Sequence, residues 1–181
     1  NAGTLLASVA TDASGSFNLG NLYYGNYYIK EIAESEGYLL DDTVYDLKYR
    51  EAENTHEDIS LQRNVVETVI KQPFEIIKVS TDGANEETDY VKGAEFTVKL
   101  QSEIDEKGWE EAKTYDVLIT DEKGYALSKE LPYGTYLVKE TKVPGELHKT
   151  KDFTVRVMED SRTPQRWRVL NDGPFEAYIR F

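Results

Sequence analysis

The chain has 181 residues, no cysteine and a formal net charge of −13. Lacking cysteine, it can have no disulfide, thiolate metal site or cysteine nucleophile, and its acidic balance argues against nucleic acid, whose phosphates call for clustered Lys and Arg. No apolar run reaches the length needed to span a bilayer, and 12% aromatic residues with frequent Val, Ile and Thr favour strands over helices.

In chain order, the first informative segment is residues 11–31, TDASGSFNLGNLYYGNYYIKE. It returns at 120–140 as TDEKGYALSKELPYGTYLVKE, at a constant offset of 109 (120 − 11 and 140 − 31). Thr11, Asp12, Gly15, Leu22, Tyr24, Gly25, Tyr27 and Glu31 match Thr120, Asp121, Gly124, Leu131, Tyr133, Gly134, Tyr136 and Glu140. An ungapped repeat of this size is a tandem domain, not a short solenoid unit.

The second copy can be read throughout. FEIIKV (74–79) is a strand, the acidic stretch 80–90 a loop, and AEFTVKLQ (94–101) an alternating strand. A charged connection over 102–112 leads to strands 114–119, 125–128 and 135–141. Pro144-Gly145 breaks the chain before strands 152–158 and 166–171. Short alternating strands between Gly, Pro and Asp turns predict an all-β fold of two tandem antiparallel β-sandwiches. The domains are expected at 1–71 and 72–175. On the repeat offset, the first domain's opening strand falls upstream of Asn1 (74 − 109 = −35), so this domain is expected to lack its N-terminal strands. Pro174-Phe175-Glu176 echoes Pro73-Phe74-Glu75, so residues 176–181 are expected to begin a further domain.

Strand parity singles out three polar residues. Phe74 and Ile76 share a face with Lys78; Tyr136 and Val138 with Glu140; Trp167 and Val169 with Asn171. Each inward apolar stripe thus ends on a polar group, and buried Lys and Glu are rare unless paired. Two readings stand. One is a buried Lys–Glu ion pair with Asn171 satisfying a leftover hydrogen bond. The other is chemical: a desolvated amine is a nucleophile, a buried carboxyl can shuttle protons, and an asparagine amide can be attacked with loss of ammonia.

The strings LPYGTYLVKET (131–141), FEIIKVS (74–80), VKGAEFTV (91–98) and WRVLND (167–172) resemble Cna-B-like domains of Gram-positive surface proteins. These modules are also called SpaA-type prealbumin-like domains, with an Ig-like sandwich. The resemblance implies that Lys78 and Asn171 form an intramolecular isopeptide bond, with Glu140 catalysing. It implies a single-turnover autocatalytic reaction rather than an enzyme, with no cofactor and no metal. In the first domain Glu31 is the equivalent glutamate and Asn64 the best acceptor, although Ser60 and Gln62 on its face are polar. Its lysine would lie upstream, and Lys30, Lys48 and Lys71 do not stand in the expected place.

Other signals are weaker. Asp82, Glu86, Glu87 and Asp89 could ligate calcium, but their spacing does not match a calcium loop. His56 and His148 lie in different units and are expected at the surface. Tyr23, Tyr24, Tyr27 and Tyr28 suggest strand packing or a binding patch. The resemblance implies a stalk or shaft module of a cell-surface adhesin or pilin, extracellular and wall-anchored through its parent protein. Its partners would be neighbouring domains of the same polypeptide. Separately, the missing opening strand is expected to leave a sheet edge of the first domain open, where residues 177–181 of a neighbouring molecule could dock by strand exchange. The alternative is an adhesin module recognising host matrix protein or glycan.

Overall fold

The computed structural model of the protein describes residues 3–49, 65–81 and 87–172. Asn64 and the strand expected over 176–181 lie outside them, as do residues 82–86 of the acidic loop. Two compact units emerge: Asn1–Ile32 with Asp42–Val65, and Ala33–Asp41 with Val66–Phe181. The strands are β1 (Gly25–Lys30), β2 (Tyr38–Leu39), β3 (Val44–Tyr49), β4 (Thr68–Val69), β5 (Lys71–Gln72), β6 (Phe74–Thr81), β7 (Glu87–Tyr90), β8 (Glu95–Leu100), β9 (Thr114–Ile119), β10 (Tyr125–Leu127), β11 (Leu131–Pro132), β12 (Gly134–Lys142), β13 (Phe153–Val157) and β14 (Gln165–Asp172). Among the described residues there is one helix, α1 (Gln101–Lys107).

The second unit is built on two sheets. One has the order β10-β6-β14, with β7 also on β6; the other has the order β13-β12-β8-β9. Alternation along each strand sends one side chain in two to the core: Phe74 and Ile76, Phe96 and Val98, Tyr136 and Val138, Val155 and Val157 are each at most 1% exposed. Each such side chain stabilises the fold by roughly 1.5–3 kcal/mol.

Pairing is antiparallel except between β6 and β14, which run parallel. They are the unit's first long strand and its last among the described residues, and the rest of the sandwich supplies the crossover that a parallel pair requires. Two stretches read as connections carry regular elements. The charged connection 102–112 opens with α1, where Gln101 Nε2 donates to Asp105 Oδ1 one turn on (2.7 Å). Gly108, at φ +82°, ends the helix, its N–H donating to the Ile104 carbonyl. The loop expected over 80–90 begins as strand and ends as β7, because β10 pairs only with Glu75–Ile77 and leaves the far end of that β6 edge for β7 to cover.

The repeat is visible in hydrogen bonds. Asp12 Oδ1 accepts the N–H groups of Ser14 and Ser16 (2.8 and 3.1 Å); Asp121 Oδ1 accepts those of Lys123 and Tyr125 (2.8 and 3.0 Å). Each donor pair is offset by the same 109 positions. Short carboxylates that bond their own backbone two residues on make such turns. The Tyr27 hydroxyl donates to the Tyr23 carbonyl, and that of Tyr136 to the Pro132 carbonyl.

In the first unit β1 pairs with β3, setting Tyr27 opposite Leu47 and Ile29 opposite Tyr45. All four are half-buried, and none of this unit's residues with described side chains is fully buried.

Candidate functional site

The alternation that fills the core of the second unit also carries charge into it. After Phe74 and Ile76, β6 turns Lys78 inward; after Tyr136 and Val138, β12 turns Glu140 inward. Both side chains are fully buried, and Lys78 Nζ lies 3.7 Å from Glu140 Oε1. This is an ion-pair contact beyond ordinary hydrogen-bond length. Removing two charges from water costs several kcal/mol per ion, which attraction offsets only in good geometry. Burial therefore draws the Lys78 ammonium down from 10.5 to about 8, against the opposing pull of the Glu140 carboxylate.

The backbone of Lys78 is held along the edge of β6 that faces β10 and β7. Its N–H donates to the Gly124 carbonyl (2.7 Å), and its own carbonyl accepts from Val91 N–H (3.0 Å). Gly124 sits at φ +64°, and a Cβ there would meet the Lys78 carbonyl oxygen at 2.1 Å. Only glycine suits both the conformation and the approach. At the equivalent Gly15, a Cβ would meet nothing within 4 Å.

Aromatic rings wall the pair. Glu140 stands opposite Phe96 in the β12–β8 ladder, and the Phe96 ring centroid is 5.5 Å from Lys78 Nζ. Phe96 packs edge-on to Phe153, and Phe153 against Trp167 at 5.2 Å. On its other side, Glu140 Oε2 accepts the Thr150 backbone N–H at 2.7 Å.

The parallel register sets Val169 opposite Lys78 and Asn171 opposite Ser80. The Asn171 backbone is thus one alternation beyond the lysine, at a register position on the same sheet face as Val169. Lys78 and Glu140 are brought together, and Asn171 is on the neighbouring strand. Glu31 follows β1 directly and is half-buried; Lys30, Lys48 and Lys71 are exposed. Tyr23 and Tyr28 are exposed, whereas Tyr27 is half-buried.

Sequence reasoning missed Thr150. It lies in the connection between β12 and β13, where no periodicity marks it, and it contributes a backbone group that residue type does not reveal.

The SpaA family of prealbumin-like fold domains matches residues 1–63 and 72–168. Among solved structures, the Bacillus anthracis TIE protein is similar at 29% identity and a TM-score of 0.67, over 90% of this chain and 28% of that one. The shaft pilin SpaA from Lactobacillus rhamnosus GG is similar at 14% identity and a TM-score of 0.46, over 57% of this chain and 51% of that one. The full-length major pilin SpaD from Corynebacterium diphtheriae gives 20% identity and a TM-score of 0.44, over 57% and 30%. The chain therefore spans about half or less of the length of each of these proteins. No curated protein matches it.

Proposed function

This chain belongs to the SpaA family of prealbumin-like fold domains, and we propose that it is a structural module of an extracellular surface protein, a stalk or shaft segment stabilised by a self-formed Lys78–Asn171 amide. The observation that carries this reading is the fully buried Lys78–Glu140 pair, 3.7 Å apart, on a strand paired with the one that carries Asn171.

The chemistry follows from burial. Only the neutral amine attacks, and desolvation favours that form. Lys78 passes its proton to Glu140, and Nζ adds to the Asn171 side-chain carbonyl carbon. Glu140 then gives that proton to the departing amine and takes the second proton from Nζ, so that a neutral amide and ammonia form and Glu140 ends protonated. One C–N bond forms, one breaks and ammonia leaves, with no oxidant, cofactor or second substrate. The reaction occurs once per chain. The product ties the first strand of the sandwich to the last, the two that a pulling force would otherwise separate. Its partners are the neighbouring domains of the same polypeptide, with the parent protein supplying attachment to the wall.

Intact mass is the test. The wild-type chain is expected one ammonia lighter than its sequence, and Lys78→Ala, Glu140→Ala and Asn171→Ala at full mass. Full mass in the wild type sinks the proposal. Loss of two ammonia molecules would extend the chemistry to the first unit, through Glu31 and Asn64.

A second reading, a module that binds host protein or glycan, draws on Tyr23 and Tyr28, which are 91% and 67% exposed on the first unit. Binding to matrix-protein or glycan arrays that Tyr23→Ala and Tyr28→Ala together abolish would support it.

A further inference from the structure

We infer that Thr150 is the positioning residue of the cross-linking site, setting Glu140 and the acceptor strand in one geometry. The inference rests on the isopeptide reading above and adds a residue to it.

A buried carboxylate has two equivalent oxygens and a rotatable terminal torsion. Burial alone does not decide which oxygen faces the amine. Thr150 fixes one side of the carboxylate: its backbone N–H donates to Oε2 at 2.7 Å, while Oε1 is the oxygen 3.7 Å from Lys78 Nζ. A hydrogen bond to an ionised acceptor is about twice as strong as one between neutral groups, so it holds the carboxylate firmly.

The same residue reaches the other strand. Thr150 Oγ1 donates to the Leu170 carbonyl at 2.9 Å. Leu170 lies between Val169, which is paired with Lys78, and Asn171. The carbonyl that Thr150 holds belongs to the peptide whose nitrogen is that of Asn171. One side chain and its own backbone N–H therefore fix the proton shuttle and the acceptor residue's backbone relative to each other. The connection carrying Thr150 is itself anchored. It turns at Pro144-Gly145, with Gly145 at φ +64°, and Leu147 packs against the core.

Every residue except proline has a backbone N–H, so the hydroxyl is the part that mutation can probe. Thr150→Val keeps the branched shape and the N–H but deletes the hydroxyl; Thr150→Ser keeps the hydroxyl and deletes the methyl. Leu170 is 47% exposed, so water can replace the lost donor and the fold tolerates the change.

The experiment follows ammonia loss by intact mass during cell-free synthesis, with samples quenched in acidic denaturant. Thr150→Val is expected to cross-link about ten- to a hundredfold more slowly than wild type, the scale on which small misplacements act. Thr150→Ser is expected to stay close to the wild-type rate. The same Val substitution in a Lys78→Met background, which cannot cross-link, is expected to leave the melting temperature nearly unchanged. Equal rates for Thr150→Val and wild type would overturn the inference, as would a Ser variant as slow as Val. A large fall in melting temperature in the Lys78→Met background would also overturn it, by making the residue structural. A wild type that never loses ammonia would instead overturn the isopeptide reading itself.

Discussion

Replacing Asn171 by alanine removes the acceptor while leaving the buried Lys78–Glu140 pair intact, so it isolates what the covalent tie contributes. The bond would close a loop of 93 residues (171 − 78). Loop closure restricts the unfolded chain, and for a loop of this size the chain-entropy relation gives about 4.7 kcal/mol at 25 °C. For a unit of this size that corresponds to a melting temperature lower by about 15–25 °C. Below about pH 8 the direction is reinforced, because the unlinked lysine folds as a buried ammonium whereas the amide carries no charge. The assay is calorimetry on wild type and Asn171→Ala, each with its cross-link state fixed by intact mass. If the wild type has lost ammonia and the two proteins still melt within about 3 °C of each other, the entropic reasoning is refuted.

The same variant should show a pH signature. Lys78 has a folded pKa of about 8 against 10.5 unfolded. Below about pH 8 both states hold the proton and the burial cost is fully present. Between those values the unfolded chain holds a proton the folded chain has released, so stability rises with pH, by at most about 3 kcal/mol. Tyr115, Tyr125 and Tyr133, all raised, give the opposite trend at the alkaline end. Asn171→Ala is therefore compared by urea denaturation with Asn171→Ala/Lys78→Met, and identical pH profiles would contradict the assignment. Gly124→Ala puts a Cβ 2.1 Å from the Lys78 carbonyl oxygen at φ +64°, whereas Gly15→Ala, at φ +74°, meets nothing within 4 Å. The first should cost about 3 kcal/mol or more and the second only the left-handed penalty of about 1–2 kcal/mol; equal losses in denaturant titrations would show that the contact does not matter. Gly37→Ala, at φ +87° with a Cβ 2.9 Å from the Tyr133 ring, should destabilise the second unit by about 2 kcal/mol, and an unchanged urea midpoint would refute that.

How much could be read from sequence depended on how local each cause was. Strands β8, β9, β12 and β13 were legible because one face of each is core, and period-two alternation records it. Lys78 and Glu140 were legible for the same reason: a charge at the end of an apolar stripe breaks a pattern strong enough to make the break visible. Helix α1 was not, because seven residues carry too little periodicity and no side chain caps its start. Strand β7 escaped because its cause lies elsewhere, in the length of β6 that β10 leaves uncovered. The parallel pairing of β6 and β14 is a property of topology. Thr150 acts through a backbone N–H and a bond to the Leu170 carbonyl twenty residues away, and neither leaves a trace in composition.

The two copies of the repeated segment separate what a motif specifies from what it does not. Asp12 and Asp121 bond the same pair of backbone groups, and Tyr27 and Tyr136 return their hydroxyls to the same carbonyl four residues back. These interactions lie within the segment, so both copies have them. The glutamate that ends each copy is different. Glu140 is fully buried because Lys78 of β6, Phe96 of β8 and Thr150 of the following connection all close on it. None of those residues belongs to the repeated string, and Glu31, with the same local sequence, is only half-buried. Proton shuttling in a dry site depends on desolvation and on a fixed partner, both supplied from outside the motif. The string that identifies the family therefore predicts where a glutamate stands, and the strands packed against it decide whether that glutamate can catalyse. That is why one ammonia, rather than two, is expected to leave this chain.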